Sequence, residues 1–350
     1  MRAFEGVKQK LAMELSGFTG TPKTFRTRYR EQADNKHKLY SAAEIRAIRF
    51  GLLNIPPDAK RPLTLPPVID TRMAKGGVGK TTICGNVASC IALSGYRVLL
   101  IDGDPQSSLT SLYGINWLDE EITHIGELMK RTSQGQRAHP EKAIRSIYPD
   151  GMLDLIPSDI TMVDESWLMG AMNREQAFTR LLEAEIEFFS QYDVIIIDSA
   201  PGTSVLATTF MVACKTLLTV VTAEGQAIAA LDVLASNVQE INAAFGRQGI
   251  HLDVHIVVNQ FNTSKTPHQY QLSKLLPKFP GKINDTIIRD FVGFLRESDP
   301  DNISSNGPVL EKEPNSGGAR DIIDLTKSLI KLYGLRLAGT TLPGDRKSVV

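Results

Sequence analysis

Short runs of apolar residues alternate with longer stretches of helical periodicity along most of this chain. The runs are rich in β-branched residues and too short for helices, which predicts strands buried on both faces. They span 66–73, 96–104, 152–159, 193–200, 216–223 and 253–260. The stretches with helical spacing are 82–94, 174–190, 227–245 and 319–335. This alternation predicts an α/β fold, with a mostly parallel sheet flanked by helices.

The first 53 residues follow a different pattern. A helical stretch over 7–16 precedes a glycine turn, a short basic helix that opens at Thr21-Pro22, and a further helix capped at Ser41. This order predicts a small helix-turn-helix-like module that contacts DNA. The basic side chains of its second helix, the candidates for that contact, are Lys23, Arg26, Arg28 and Arg30. The alternative is a solvated basic arm used for dimer contacts.

The distribution of prolines and of charged residues indicates how the chain is divided into domains. Five prolines fall within 54–67, which predicts a linker between the helical module (1–53) and an α/β domain (68–337), with a flexible tail over 338–350. Lys and Arg equal Asp and Glu at 39 each, so the whole-chain charge does not indicate a nucleic-acid ligand. The first 65 residues nevertheless carry seven more basic than acidic side chains.

Several classes of protein are disfavoured. The three cysteines lack C-x-x-C spacing, which argues against a structural zinc or an iron–sulfur cluster and fits a reducing compartment. His251 and His255 lie in a strand-like pattern, which argues against a metal site there. Neither an export signal nor an apolar run long enough to span a bilayer is visible. We therefore expect a cytoplasmic protein without a membrane anchor.

The sequence GGVGKTT lies between a predicted strand and a predicted helix. In this context, successive backbone N–H groups and the helix N-terminus cradle phosphate oxygens. Lys80 is expected to meet the β- and γ-phosphates of a nucleotide, and the Thr81 hydroxyl to bind Mg²⁺. The residues predicted to contact the nucleotide here are Gly76, Gly77, Val78, Gly79, Lys80, Thr81 and Thr82.

Carboxylates follow two further predicted strands, where the carboxyl ends of a parallel sheet bind ligands. Asp198 in VIIIDSAPG is placed to hold the magnesium shell, and we expect it to do so through a water molecule. In LLIDGDPQSS, we expect Asp104 to orient the attacking water and Asp102 to belong to the nucleotide site. Taken alone, each aspartate is typical of a turn or helix cap. Together with the glycine loop they predict a nucleotide hydrolase.

The motifs KGGVGKTT, DGDPQSS and IIIDSAPG, in this order, resemble the deviant Walker-A group of P-loop ATPases, and DPQ is most similar to ParA-type partition ATPases. The resemblance covers about 68–333. It implies hydrolysis of ATP to ADP and phosphate, with ATP and Mg²⁺ as cofactors. It also implies a homodimer that sandwiches two ATP molecules, nonspecific binding of double-stranded DNA on the nucleoid, and stimulation by a centromere-binding ParB-type partner.

The resemblance assigns roles to further residues. Lys75 would reach across the dimer interface to the partner's nucleotide, much like an arginine finger supplied in trans. Asn259 would read the adenine edge, and Pro308 would belong to the loop that closes over the base. Arg289 and Arg296 match best the basic residues that bind DNA without sequence preference. The N-terminal module resembles the winged, MerR-like modules of larger ParA proteins, which implies operator binding and autorepression.

The chain also departs from this family's pattern. Met73-Ala74 stands where the family usually has Asn-Gln, and APGTSVLATTF replaces its more typical Pro-Pro-Ser pattern. Two alternatives stay open. A MinD-like membrane-associated positioning ATPase would use the amphipathic stretch 325–337 as its membrane helix. A P-loop small-molecule kinase or synthetase is the main alternative among enzymes.

Overall fold

The computed structural model describes residues 4–29, 38–59, 61–73, 76–202, 204–297, 299 and 306–337. The strands in these ranges are β1 Val7–Lys8, β2 Leu39–Tyr40, β3 Val68–Arg72, β4 Val98–Gly103, β5 Arg145–Tyr148, β6 Leu153–Ile156, β7 Val194–Ser199, β8 Thr216–Thr222 and β9 Asp253–Asn259. The α-helices are α1 Gln9–Ser16, α2 Pro22–Tyr29, α3 Ala42–Leu53, α4 Lys80–Leu93, α5 Ser108–Leu112, α6 Ile125–Ser133, α7 Ser166–Met169, α8 Ala177–Ala184, α9 Ile186–Phe189, α10 Val205–Ala213, α11 Gly225–Phe245, α12 Thr266–Lys278, α13 Val292–Leu295, α14 Val309–Lys312 and α15 Gly317–Leu332.

Seven strands form the central sheet in the order β5-β6-β4-β7-β3-β8-β9. Every pairing in it is parallel except that of β5 with β6. The predicted mostly parallel sheet flanked by helices is therefore confirmed, and all six predicted strands are present. The edge strand β5 escaped prediction because its four residues, Arg-Ser-Ile-Tyr, are half polar and only the last is buried.

Helices cover both faces of the sheet. Side chains of alternate strand residues enter two apolar clusters, as the pleat requires: Leu100 packs with α4 and α15, whereas Leu99 and Ile101 pack with α6, α8 and α10. Helix α4 is the most enclosed, with twelve of its fourteen residues buried. A helix that is apolar on all sides belongs inside a protein.

The single helix predicted over 174–190 is wrong. This stretch consists of a 3-10 turn at Arg174–Gln176 followed by α8 and α9, which are separated at Glu185. The Glu185 carboxylate accepts a hydrogen bond of 2.8 Å from the backbone N–H of Ala138. The periodicity of apolar residues continues through this break, so the sequence pattern did not indicate the break.

The N-terminal segment folds into α1, α2 and α3 with the antiparallel pair β1–β2. Helix α1 ends at Gly17 with φ 76°, a left-handed conformation that glycine adopts without strain. Ser41 caps α3 as predicted, in a reciprocal capping box with Glu44. Phe25 of α2 is buried against the rings of Phe18 and Tyr40.

The N-terminal helices pack directly on the α/β domain, and their buried residues join the same apolar cluster as α4 and α15. Polar contacts reinforce this packing. Arg46 of α3 donates hydrogen bonds to the Gly95 carbonyl, at 2.8 Å, and to Asp193, at 2.7 Å. Glu14 of α1 pairs with Arg320 and Lys327 of α15, at 2.6 Å each. Residues 54–59 and 61–67, from the segment predicted as a linker, form neither helix nor strand.

The stretch 325–337, on which a MinD-like membrane role would depend, forms the end of α15 and the residues that follow it. Its apolar side chains Leu325 and Leu329 are fully buried in the core cluster that contains α4. Among the described residues, none of the helices has the length and apolar content needed to cross a bilayer.

Candidate active site

The glycine loop joins β3, in the middle of the sheet, to the buried helix α4. Gly77 and Gly79 have φ angles of 81° and 77°, a region that strains residues with a side chain. A Cβ at Gly79 would also lie 2.5 Å from the Asn259 amide nitrogen. Gly79 is the N-cap of α4, so it contributes no side chain to the first amides of the helix. Amides without side-chain partners at a helix N-terminus can hold phosphate oxygens, which fits the predicted role of this loop.

Lys80, Thr81 and Asp198 form one hydrogen-bonded cluster at the entrance to α4. The Lys80 ammonium donates to one Asp198 carboxylate oxygen, and the Thr81 hydroxyl donates to the other at 2.6 Å. Asp198 is fully buried, and this burial raises the pKa of its carboxyl against the opposing effect of Lys80. The hydroxyl and carboxylate oxygens are the hard donors that Mg²⁺ prefers, so this pair fits the predicted magnesium site.

Asp102 and Asp104 lie beside this cluster because β4 pairs with β7 in register, Asp102 opposite Asp198. Asp102 accepts hydrogen bonds from the Thr110 N–H and hydroxyl, at 2.8 and 2.7 Å. Burial, aided by the charge of Asp198, raises the pKa of Asp102 to about 7. Asp104 is also buried, and accepts a hydrogen bond of 3.0 Å from the Gln106 N–H. Asp102 thus anchors α5, whereas Asp104 directly follows the end of β4, which pairs with the end of β7 that carries Asp198.

Asn259 connects the end of β9 to the glycine loop. Its amide nitrogen donates to the Val78 carbonyl at 2.8 Å. Its amide oxygen is buried and has no hydrogen-bond partner within the described part of the chain. An unpaired buried oxygen is costly, so it calls for a donor. The exocyclic amino group of adenine is such a donor, and this orphaned atom therefore fits the predicted nucleotide.

The segment around Pro308 is attached to α4, the helix that follows the glycine loop. The Val309 N–H donates to the Asn86 side-chain oxygen at 2.9 Å, and the Asn86 amide nitrogen donates to both Glu297 carboxylate oxygens at 2.8 Å. Glu297 is fully buried, and burial raises its pKa to about 8. Sequence reasoning missed Glu297 because its neighbours, Arg296 and Ser298, suggest an exposed loop.

Arg72 is a second residue that sequence reasoning missed. It is only 1% exposed, and its guanidinium donates to the carbonyl oxygens of Gly202 and Ala207. The sequence did carry a signal, because Asp70 and Arg72 lie two residues apart in a predicted strand, which places both charges on one face of β3.

The remaining predicted residues are dispersed. Lys75, Arg30 and the tail 338–350 lie outside the described residues. Lys23, Arg26 and Arg28 are exposed on α2. Arg289 binds Asp321 through two hydrogen bonds of 2.7 and 2.8 Å, and Arg296 is 3.8 Å from Glu313. The DNA-binding candidates therefore come from two parts of the chain, α2 and the region of Arg289 and Arg296.

The cysteines and His255 are the other side chains of types that can bind a metal ion. Cys84, Cys90 and Cys214 are buried free thiols, and burial raises the pKa of each. The His255 ring lies 3.0 Å from the Asn284 amide. In the described ranges, no group of three or more His, Cys, Asp or Glu side chains could hold a metal ion.

Comparison with known proteins identifies the class to which this fold and site belong. A family model described as an AAA domain matches residues 67–251. The chain is 32% identical over 250 residues to the cell division protein PomZ of Myxococcus xanthus, covering 71% of this chain and 73% of PomZ. It is 30% identical over 261 residues to the sporulation initiation inhibitor protein Soj of Bacillus subtilis, covering 73% of this chain and 94% of Soj.

The chain therefore belongs to the ParA-type family of P-loop ATPases, as the resemblance implied. The predicted ATPase activity, with ATP and Mg²⁺ as cofactors, is confirmed with it. Solved structures agree on the fold. A McdA–ATP complex from Cyanothece has a TM-score of 0.62 at 18% identity, covering 78% of this chain and 98% of McdA. A putative plasmid partition protein from Borrelia burgdorferi, bound to AMPPNP, has a TM-score of 0.58 at 23% identity, covering 76% and 99%.

Proposed function

We propose that this chain is a DNA partition ATPase whose Mg-ATP-bound dimer binds DNA without sequence preference. In this proposal a centromere-binding partner of the ParB type stimulates hydrolysis, and DNA binding keeps the protein on the nucleoid. The observation that carries the proposal is the cluster of Lys80, Thr81 and Asp198 at the start of α4, with Asp104 directly after the neighbouring strand β4. The description of one relative, the virulence plasmid ParA family protein pGP5-D of Chlamydia psittaci, supports it.

Each residue of the cluster has a separate task in the proposed reaction. Lys80 neutralises charge on the β- and γ-phosphates, and the backbone of residues 76–82 holds their oxygens. Thr81 and Asp198 would hold the Mg²⁺ ion and its water shell. Asp104 orients the attacking water. When bound, Mg²⁺ supplies charge neutralisation at the phosphates.

The base would be bound on the other side of the glycine loop. The Asn259 amide oxygen, which lacks a partner among the described groups, accepts from the adenine amino group in this proposal. The segment at Pro308 flanks the base, and Asn86 ties that segment to α4.

Lys75 is proposed to act on the partner subunit's nucleotide. Lying directly before the glycine loop, it is poorly placed to reach the phosphates that Lys80 already meets. Lys75→Ala should therefore bind ATP as a monomer but fail to form the ATP-dependent dimer. Light scattering with a slowly hydrolysed ATP analogue tests this role, and a Lys75→Ala protein that dimerises as wild type does refutes it.

We further propose that α2 reads an operator and so mediates autorepression. Phe25 anchors one face of this helix in the N-terminal core, while Lys23, Arg26 and Arg28 are exposed on the other. Three further arginines of the first 65 residues, Arg46, Arg49 and Arg61, instead bind groups of the ATPase domain. Three of the basic side chains that stay exposed thus lie together on α2.

Substitution of the exposed residues tests the operator proposal without exposing the shared core, which deletion of residues 1–53 would do. The triple change Lys23→Glu, Arg26→Glu and Arg28→Glu should abolish a sequence-specific footprint while sparing ATP-dependent nonspecific binding. Arg137→Glu, an exposed change on the ATPase domain, is the matched control. An unchanged footprint in the triple variant would defeat the proposal.

A further inference from the structure

A buried pair of charges lies directly beneath the nucleotide site, on the strand that leads into the glycine loop. Asp70 and Arg72 of β3 are 0% and 1% exposed. Their side chains point to the same face of the sheet, which α10 covers. Burying charged groups costs several kcal/mol per ion unless their bonds are made, so such a pair needs a structural or functional reason.

Arg72 spans the connection between β7 and α10. One guanidinium nitrogen donates to the Ala207 carbonyl at 2.8 Å, and the other donates to the Gly202 carbonyl. Gly202 lies in the connecting turn with φ 95°, and Ala207 lies in the first turn of α10. The planar fork of an arginine can hold two acceptors at once, whereas a lysine ammonium is a compact point charge.

Asp70 holds the beginning of the same connection. The Ser199 hydroxyl donates to one carboxylate oxygen of Asp70, and the other oxygen lies 3.6 Å from Arg72. Ser199 directly follows Asp198, whose carboxylate binds Lys80 and Thr81. The pair therefore bonds to the β7–α10 connection at three points: Asp70 at Ser199, and Arg72 at Gly202 and Ala207.

The connection also contacts β4, the strand that directly precedes Asp104. The Ala200 N–H donates to the Gly103 carbonyl at 3.3 Å. Displacement of this backbone would consequently shift both Asp198, which lies on one side of it, and Asp104, which lies on the other. Misplacement of catalytic groups by about 1 Å can lower a rate by about 10²-fold.

We propose that Arg72, supported by Asp70, is a positioning residue for ATP hydrolysis. It fixes the β7–α10 connection and thereby sets the distance between the magnesium-holding Asp198 and the water-orienting Asp104. It touches neither the nucleotide nor the metal. The proposal rests on the roles proposed for Asp198 and Asp104, but not on dimerisation or DNA binding.

The test separates positioning from a purely structural role by measuring the effect of a variant on kcat and on KM for ATP separately. Arg72→Lys keeps the charge but cannot hold both carbonyl groups. We expect kcat to fall about 10-fold or more while KM for ATP changes less than about 2-fold, because ground-state binding by the glycine loop is retained. Calorimetric stoichiometry with a slowly hydrolysed ATP analogue reports the folded fraction. Arg145→Lys, on the edge strand β5, is the matched control and should keep wild-type kcat.

Asp70→Asn provides a second variant, because it keeps the shape of the side chain and removes its charge. It should lower kcat in the same direction, again with KM little changed, and it decides the matter if Arg72→Lys does not fold. A kcat within about 2-fold of wild type, per folded site, in the variant or variants that fold overturns the proposal. Unchanged ATP affinity in Lys80→Ala would instead overturn the proposed site itself.

Discussion

Arg46 of α3 donates a hydrogen bond of 2.7 Å to the buried carboxylate of Asp193, the residue directly before β7. Arg61 binds the other oxygen of the same carboxylate at 2.6 Å. The Arg97 N–H donates to the oxygen that Arg46 binds, also at 2.6 Å. Three parts of the chain thus meet at one charge: the N-terminal helices, the proline-rich segment and the sheet. Because this charge has no exposure to solvent, its partners cannot be replaced by water without rearrangement.

The first prediction is that Asp193→Ala destabilises the whole protein by about 3 kcal/mol, because Arg46 and Arg61 lose their common counter-charge. Denaturant unfolding should show one transition for the N-terminal helices and the ATPase domain, monitored by separate probes. Asp253→Ala, which breaks an exposed pair with Lys282, is the control and should cost less than about 1 kcal/mol. Separate transitions for the two parts would contradict the prediction.

The second prediction concerns Lys80. Lys80→Ala should lower the affinity for Mg-ATP at least about 100-fold, because the ammonium that faces the β- and γ-phosphates is lost. Titration calorimetry measures the affinity directly. Lys278→Ala removes an exposed ammonium that pairs with Asp232, and should leave the affinity unchanged. ATP binding of wild-type strength in Lys80→Ala would rule out the proposed phosphate site.

The third prediction separates Asp104 from Asp102. Asp104→Ala should still bind Mg-ATP but hydrolyse it roughly 10²-fold more slowly, the scale of a lost general-base contribution. Asp102→Ala should lower the melting temperature instead, because the Thr110 N–H and hydroxyl lose their acceptor. Single-turnover hydrolysis and thermal unfolding of both variants check the assignment. Wild-type hydrolysis in Asp104→Ala would move the water-orienting role to another residue.

The sheet could be predicted from the sequence because its strands are buried on both faces. Val194–Ser199 and Val98–Gly103 contain almost no polar residue before their final carboxylates, so both the strands and the site end of the sheet were visible in the pattern. Because the carboxyl ends of parallel strands meet at one edge of the sheet, the pattern also predicted that Lys80, Thr81 and Asp198 lie together. Strand β5 and the break at Glu185 could not be predicted, since each depends on tertiary contacts that leave the local pattern unchanged.

Buried charge was the feature that local pattern predicted least well. Composition marked the N-terminal segment as basic, but it could not distinguish Arg46, which binds Asp193, from Arg26, which is exposed on α2. A charged residue in a polar loop, such as Glu297, likewise gives no sign that a distant amide will enclose it. Pairing across more than 100 residues is decided by the fold and not by neighbouring residues.

The last prediction uses the buried carboxyl of Glu297. Burial raises its pKa to about 8 from an ordinary value of 4.5, so the folded protein binds a proton that the unfolded chain releases between these values. The resulting stability is fully present below about pH 4.5 and is lost as the pH rises through 8, at about 1.4 kcal/mol per pH unit within that window. Glu311 and Lys312, the other charges that face it, act in opposite directions.

Glu297→Gln should remove this dependence, because the amide stays neutral while its oxygen still accepts from Asn86. Relative to wild type, the variant should therefore gain stability progressively between about pH 4.5 and pH 8 and no further above it, as its melting temperature across this range will record. Glu183→Gln, an exposed change on α8, should follow the wild-type curve at every pH. If the curves of Glu297→Gln and wild type run parallel, the Glu297 carboxyl does not titrate with a raised pKa in the folded protein, and Asn86 holds it as an ordinary carboxylate.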